Sequence, residues 1–242
     1  MPRRSKKNLE EFRARPEPKH PTNYGARCAD CPLNGAEPVF GDGPKAPVLA
    51  IVGEAPGQNE VVAKIPFIGK SGEWLEERLA VVGRRVLGHD LSRRDVLLTN
   101  AILCFPPGGD LKAFMQRSKK AFNASKKDPF ASEEEKAAIF HSAIDCCRPR
   151  LMFELGVPRC AACGLWDLRD GHAVKISGGR ITEPTELPKI SCMCQKPRWT
   201  KPTFGRVKAT LATGNAALEA LRGTGGIMDK QMYEFENAER VK

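Results

Sequence analysis

Two features of this chain have residue types and spacing suited to chemistry: a glutamate at the end of an apolar run, and a set of spaced cysteines. The run Val48-Leu49-Ala50-Ile51-Val52 stops abruptly at Gly53-Glu54-Ala55-Pro56-Gly57. That is the pattern of a buried strand whose carboxyl end delivers a carboxylate into a glycine-lined turn. Ligands of open α/β sheets sit just outside the carboxyl ends of strands, so Glu54 stands where chemistry usually happens.

The cysteines number nine, and no secretory signal precedes them. A disulfide framework is therefore not expected. Cys28 and Cys31 form a CxxC beside Pro32, Cys104 follows a second apolar run, and Cys146 and Cys147 adjoin ahead of Arg148-Pro149. One CxxC with distant single cysteines suits a four-thiolate site assembled by the fold, as for an iron–sulfur cluster; zinc accepts the same sulfurs, and buried free thiols are the plainer alternative. Cys160 and Cys163, then Cys192 and Cys194, form a second set in an irregular segment, with His172 between them. That set suits a zinc-ribbon or knuckle, in which a metal staples a loop unable to build a core.

The elements that must position these residues follow from the apolar pattern. Ser71 to Val82 reads as a helix capped by Ser71, with Trp74, Leu75, Leu79 and Val82 on one face. Residues 95–102 read as a second strand and 206–213 as a third, followed by a short helix closed by Gly223. Ser132 to Leu155 reads as mostly helical, with a kink at Pro149, and residues 233–242 as the start of a further strand. The Lys-rich residues 110–131 read as a basic loop or surface excursion. Strands alternating with helices predict a three-layer α/β/α fold with a mainly parallel four-stranded sheet, its last strand incomplete, plus a Cys-rich insertion. The expected organisation is a basic arm over 1–24 and one domain over 25–242, with insertions at 110–131 and 156–206. A formal net charge of +10 favours a polyanionic partner, nucleic acid first. No apolar run reaches membrane-spanning length, so a cytoplasmic, monomeric protein is expected.

In order, GEAPG with Glu60 three residues on, PFIGKSG, TNAILC with PPG after it, and Cys147 before Arg-Pro resemble the iron–sulfur branch of the uracil-DNA glycosylase superfamily, the family 4/5 type. The resemblance runs from about Cys28 to Cys147 and resumes over Val207 to Gly223. It implies an α/β/α fold, a structural [4Fe–4S] cluster held by Cys28, Cys31, Cys104 and Cys147, and hydrolysis of the N-glycosidic bond of uracil in DNA. Glu54 falls on the acidic catalytic position, with Glu60 as a second catalytic candidate. Ala55, Pro56 and Gly57 fall on the backbone-lined base pocket, Phe67 on the aromatic that stacks on uracil, and Asn100 on the asparagine that reads it. The physics suits each role. A flipped base recovers stacking on a flat ring. A locked amide accepts from N3–H and donates to O4 of uracil, whereas cytosine presents the reverse pattern. A carboxylate stabilises an oxocarbenium-like sugar or orients water. Taken singly, Phe67 also suits a core position, Asn100 a turn and Glu54 a helix cap.

Three departures from the resembled pattern stand out. Leu103 and Phe105 flank Cys104 where Lys and Arg are usual. The Cys160–Cys194 segment is an insertion. A C-terminal strand with its His-Pro-Ser/Ala motif is expected after the last helix, and no histidine follows that helix here. These departures keep a non-hydrolytic uracil- or DNA-binding protein, or an inactive fragment, as the alternative expectation.

Overall fold

The computed structural model describes residues 20–47, 49–161, 172–177, 180–181, 185–186, 199 and 201–222, with the backbone alone over 172–186. The elements, in chain order, are β1 (Leu49–Gly53), α1 (Gln58–Ala63), α2 (Lys70–Leu87), β2 (Val96–Asn100), α3 (Leu111–Ser125), α4 (Glu133–Ala137), α5 (Ala143–Glu154), β3 (His172–Ser177), β4 (Arg180–Ile181), β5 (Thr185–Glu186), β6 (Ala209–Thr213) and α6 (Asn215–Arg222).

β1 and the first three residues of β2 are apolar because both of their faces are covered. Ala50, Ile51 and Val52 are fully buried, and every residue of β2 is buried. Side chains alternate between faces, and the two cores follow that alternation. Ala50, Val52 and Leu97 pack with Leu151 and Met152 of α5 and Leu218 and Leu221 of α6. Ile51, Val96 and Leu98 pack with Leu75 and Leu79 of α2 on the other side. Helices on both faces of a largely parallel sheet make the expected three-layer α/β/α fold.

The sheet runs β2-β1-β6-β3-β4, with β5 paired to β3. The first three contacts along it are parallel: Leu49 opposite Val96, Leu49 opposite Ala209, and Ala173 opposite Thr210. The fourth parallel strand is therefore β3, drawn from the Cys-rich segment that reads as irregular in the sequence. The strand expected over 233–242 lies outside the described residues. Beyond β2, residues 38–42 run antiparallel, with Asp42 and Leu98 exchanging two backbone hydrogen bonds of 2.8 Å. That segment covers an edge that would otherwise offer unpaired backbone.

Several local expectations are corrected. Helix α2 starts after Gly69 without a side-chain cap, so Ser71 lies inside it. Its buried face is Gly72, Leu75, Leu79 and Gly83, while Trp74 and Val82 are half exposed. Residues 111–125 form a helix, α3, capped by Asp110, whose carboxylate accepts from Ala113 N at 2.9 Å. The long helix expected from Ser132 breaks at 138–142, not at Pro149, which sits inside α5. Proline removes one helical N–H and so strands the carbonyl four residues earlier. That carbonyl, on Asp145, instead accepts from Arg27 Nη2 at 3.3 Å, while Arg27 N donates to Cys146 O at 2.9 Å. The folded body also begins earlier than Gly25: the turn Pro21–Tyr24 packs on α5, with Tyr24 stacked on Phe153 at 4.8 Å between ring centroids.

Candidate active site

The carboxyl ends of β1, β2 and β6 meet side by side, and the sequence motifs fall at these ends. Gly53 closes β1 opposite Asn100, the last residue of β2. The pairing continues past the strands: Ala101 N donates to Gly53 O at 2.7 Å and Ile102 N to Glu54 O at 3.1 Å. A Cβ on Gly53 would overlap Asn100 Oδ1 and come within 3.0 Å of Phe67 Cζ. Glycine is required here because the asparagine amide and the aromatic ring both close on its Cα.

Phe67 has φ +56°, a left-handed conformation that disfavours an aromatic residue by about 1–3 kcal/mol. Two features enforce it. Gly72 gives the Phe67 carbonyl room that any Cβ would fill. The buried Arg93 donates to Pro66 O at 2.8 Å and pairs with Glu76 at 3.1 Å and Asp42 at 3.4 Å. The half-buried ring rests against the α2-side core at its edge. Non-glycine residues held in this region cluster at functional sites.

Asn100 is 3% exposed, and its Nδ2 makes no close hydrogen bond, with the Glu60 carboxylate as the acceptor it faces. A buried amide donor left unpaired is costly, so it marks a place where a ligand acceptor would fit. Glu60 stands behind it. Its Oε2 accepts from Gly57 N at 3.3 Å, which ties α1 to the GEAPG turn. Burial raises the Glu60 carboxyl above the usual carboxylate range, opposed by the amides of Gly57 and Phe67, by Asn100 and by the charge of Arg93. Pro56 is buried, Ala55 is half-buried and Gly57 is exposed. The structure thus brings Gly57, Glu60, Phe67 and Asn100 together, with Ala55 and Pro56 on the turn that leads from β1 to Gly57. Glu54 leaves the same strand end toward the β6–α6 turn. Its exposed carboxylate fills the space beside Gly214, and Oε1 accepts from Ala216 N at 3.1 Å at the start of α6. The helix-cap alternative for Glu54 is therefore realised, and the same bond fastens β1 to the β6–α6 turn.

Cys31, Cys104 and Cys147 pack against one apolar cluster. Cys28 opens the turn that carries Cys31, whose N–H bonds Cys28 O at 3.1 Å. The bridge of Pro38 to Cys104 brings the third cysteine alongside. Burial raises the Cys28 thiol, and the charges of Cys147 and Cys31 add to the effect. Burial pushes Cys104 up to about 12, again with Cys147, Cys31 and Cys28 contributing. Cys147 is coupled to all three of the others, whereas Cys146 is coupled to Cys31 and Cys147 alone. A hydrogen bond from Cys146 favours the Cys31 thiolate, which also accepts from Leu33 N at 3.4 Å. No three Cys, His, Asp or Glu side chains among the described residues are grouped to hold a single metal ion. Of the second set, Cys160 is buried and bridges Trp199 through the backbone, while Cys163, Cys192 and Cys194 lie outside the described residues.

Behind Asn100 lies a polar network that the sequence pattern conceals. Arg150 is fully buried. Its Nη1 donates to Thr99 Oγ1 at 3.0 Å and Glu154 Oε2 at 2.9 Å, and its Nη2 to Asn100 O at 2.7 Å and Ala101 O at 2.9 Å. Thr99 in turn donates to Glu154 at 2.8 Å. The one available signal was an arginine inside an apolar helical stripe with a glutamate four residues on.

The family model "Uracil DNA glycosylase superfamily" matches residues 40–172. The chain belongs to the uracil DNA glycosylase superfamily. The matched residues of this superfamily member span the whole strand-end site except β6 and α6, and they include Cys104 and Cys147. The type-4 uracil-DNA glycosylase of Archaeoglobus fulgidus is 30% identical over 153 residues, 62% of this chain and 64% of that protein. The type-4 enzyme of Pyrobaculum aerophilum is 40% identical over 82 residues, 33% of this chain and 38% of that one. That of Thermotoga maritima is 36% identical over 83 residues, 34% of this chain and 40% of that one. This superfamily member therefore spans less than two thirds of the length of each of these curated relatives. None of its helices, among the described residues, is long and apolar enough to cross a membrane.

Proposed function

We propose that the chain is a DNA-repair glycosylase that hydrolyses the N-glycosidic bond of uracil in DNA. The observation that carries this reading is the buried amide of Asn100, which makes no close hydrogen bond and is closed in by Gly53 and Phe67 at the ends of adjacent parallel strands. One fixed amide beside one flat ring suits a nucleobase. The net charge of +10 suits the phosphates on either side of it.

In this reading the target nucleotide leaves the duplex, because the bond to be broken is inaccessible within the stack. Phe67 stacks on the base, and Asn100 pairs with its N3–H and O4. The backbone of Ala55, Pro56 and Gly57 walls the pocket. Glu54 directs its second carboxylate oxygen at the sugar or the attacking water, fixed in place by the amide of Ala216. Glu60, set behind Asn100, holds the amide's orientation.

The donor set of Cys28, Cys31, Cys104 and Cys147 fits a [4Fe–4S] cluster. It comprises four mutually coupled thiols whose negative charges raise one another, a repulsion that a cationic iron core relieves. Bound there, the cluster supplies a structural cross-link between the N-terminal turn, the segment after β2, and α5. For the second cysteine set, Cys160, Cys163, Cys192 and Cys194, zinc remains a proposal on spacing alone.

The test is release of free uracil from a uracil-containing oligonucleotide by the iron-loaded protein. Wild type is expected to release it, and Glu54→Ala to lose on the order of 10²–10³ in rate. A second reading, non-hydrolytic binding of uracil DNA, is favoured by the hydrogen bond that occupies one Glu54 oxygen. Salt-sensitive binding without base release by fully loaded wild type would establish that reading and overturn the enzymatic one.

A further inference from the structure

Arg150 touches two features that otherwise have no direct connection. Arginine has five N–H donors in a rigid fork. Four are used in the bonds to Thr99, Glu154, Asn100 and Ala101. The fifth, on Nε, is buried with no hydrogen-bond partner. The same side chain rises from α5 one turn after Cys147, on the stripe that ends in Glu154, four residues further on. Of the cysteines, Cys147 is the one whose side chain the Arg150 guanidinium reaches.

We propose that Arg150 is a positioning residue that couples the cysteine site to the base-reading turn: one guanidinium fixes the carbonyls of Asn100 and Ala101 while its Nε and charge serve the cysteine sulfurs. The inference rests on the cluster reading above. Filling the cysteine site gives Nε an anionic acceptor, Arg150 is then held from both sides, and the Asn100 turn is ordered with it. An empty site leaves one buried donor unsatisfied and the fork looser.

The coupling is tested on full-length protein reconstituted anaerobically with iron and sulfide. Three readouts are taken: iron per chain, hydrogen–deuterium exchange of residues 99–103, and kcat with KM on uracil DNA. Arg150→Lys keeps the cation but cannot span both carbonyls. It is expected to hold wild-type iron, to exchange faster at 99–103, and to lose between about 10- and 100-fold in kcat with KM little changed. The double variant Arg150→Met/Glu154→Leu removes both buried charges and so avoids stranding one of them. It is expected to fold, to lose more than half of its iron, and to show the same faster exchange. Wild-type iron and wild-type exchange in the folded double variant would overturn the proposal. So would faster exchange throughout β1 as well as 99–103 in both variants, which marks a purely structural role. Failure of wild type to take up iron would overturn both this inference and the cluster reading. Exchange and iron contents as expected, with no uracil release by wild type, would support the coupling while removing the glycosylase reading.

Discussion

At the residue scale the site is defined by close approaches. Gly53 is the tightest of them, because its missing side chain is the space into which Asn100 and Phe67 fit. Gly53→Ala is therefore expected to abolish uracil release and to lower thermal stability, since overpacking a buried site disfavours folding by about 1–3 kcal/mol; a melting curve and an activity assay on one preparation check both. Glu60 carries a pH signature. Its folded carboxyl titrates above the ordinary value of 4.5, chiefly because it is buried. The folded state thus holds this proton more tightly than the unfolded chain does. The resulting stability is complete below the ordinary value and is lost as pH rises through the raised one. Glu60→Gln removes that loss, so the variant gains on wild type across this window and at neutral pH. Melting temperatures of the two proteins against pH, compared pairwise, show it. The positions at these strand ends were partly legible in sequence: GEAPG, PFIGKSG and TNAILC pointed to Glu54, Phe67 and Asn100. The direction in which each side chain points was not legible, because Glu54 capping α6 depends on strand neighbours far apart in the chain.

At the element scale the sequence marked β1, β2, β6, α2 and α6, all of which carry continuous apolar signals. It obscured α3, whose one buried residue is Leu111 and which depends on its Asp110 cap more than on a buried face. It obscured β3 for a different reason. His-Ala-Val-Lys-Ile-Ser mixes polar and apolar residues within a Gly- and Cys-rich stretch, and its strand character comes from pairing with β6. Pro149 misled because the expected break was offset by a distant side chain. Arg27 bonds the freed carbonyl of Asp145 and joins the CxxC turn to α5. Arg27→Ala is expected to destabilise the protein by about 0.5–1.5 kcal/mol, the ordinary net worth of such a bond, and to hasten iron loss to a chelator. A denaturation midpoint that does not move would remove the Asp145 contact from this account.

At the scale of the whole molecule, charge and the cysteine site dominate. With a net charge of +10, binding to uracil DNA should fall log-linearly with salt, by about 0.9 in slope for each phosphate neutralised. Binding measured across a salt series that came out flat would rule out a phosphate-gripping surface. The bond between Glu54 and Ala216 spans 162 positions of the chain, and β1 waits almost as long for β6 as its neighbour. Contacts that close such long loops form late and slowly. A nascent chain on the ribosome therefore carries the GEAPG, PFIGKSG and TNAILC segments long before it has a pocket. The carboxylate becomes anchored only once Ala216 has been synthesised.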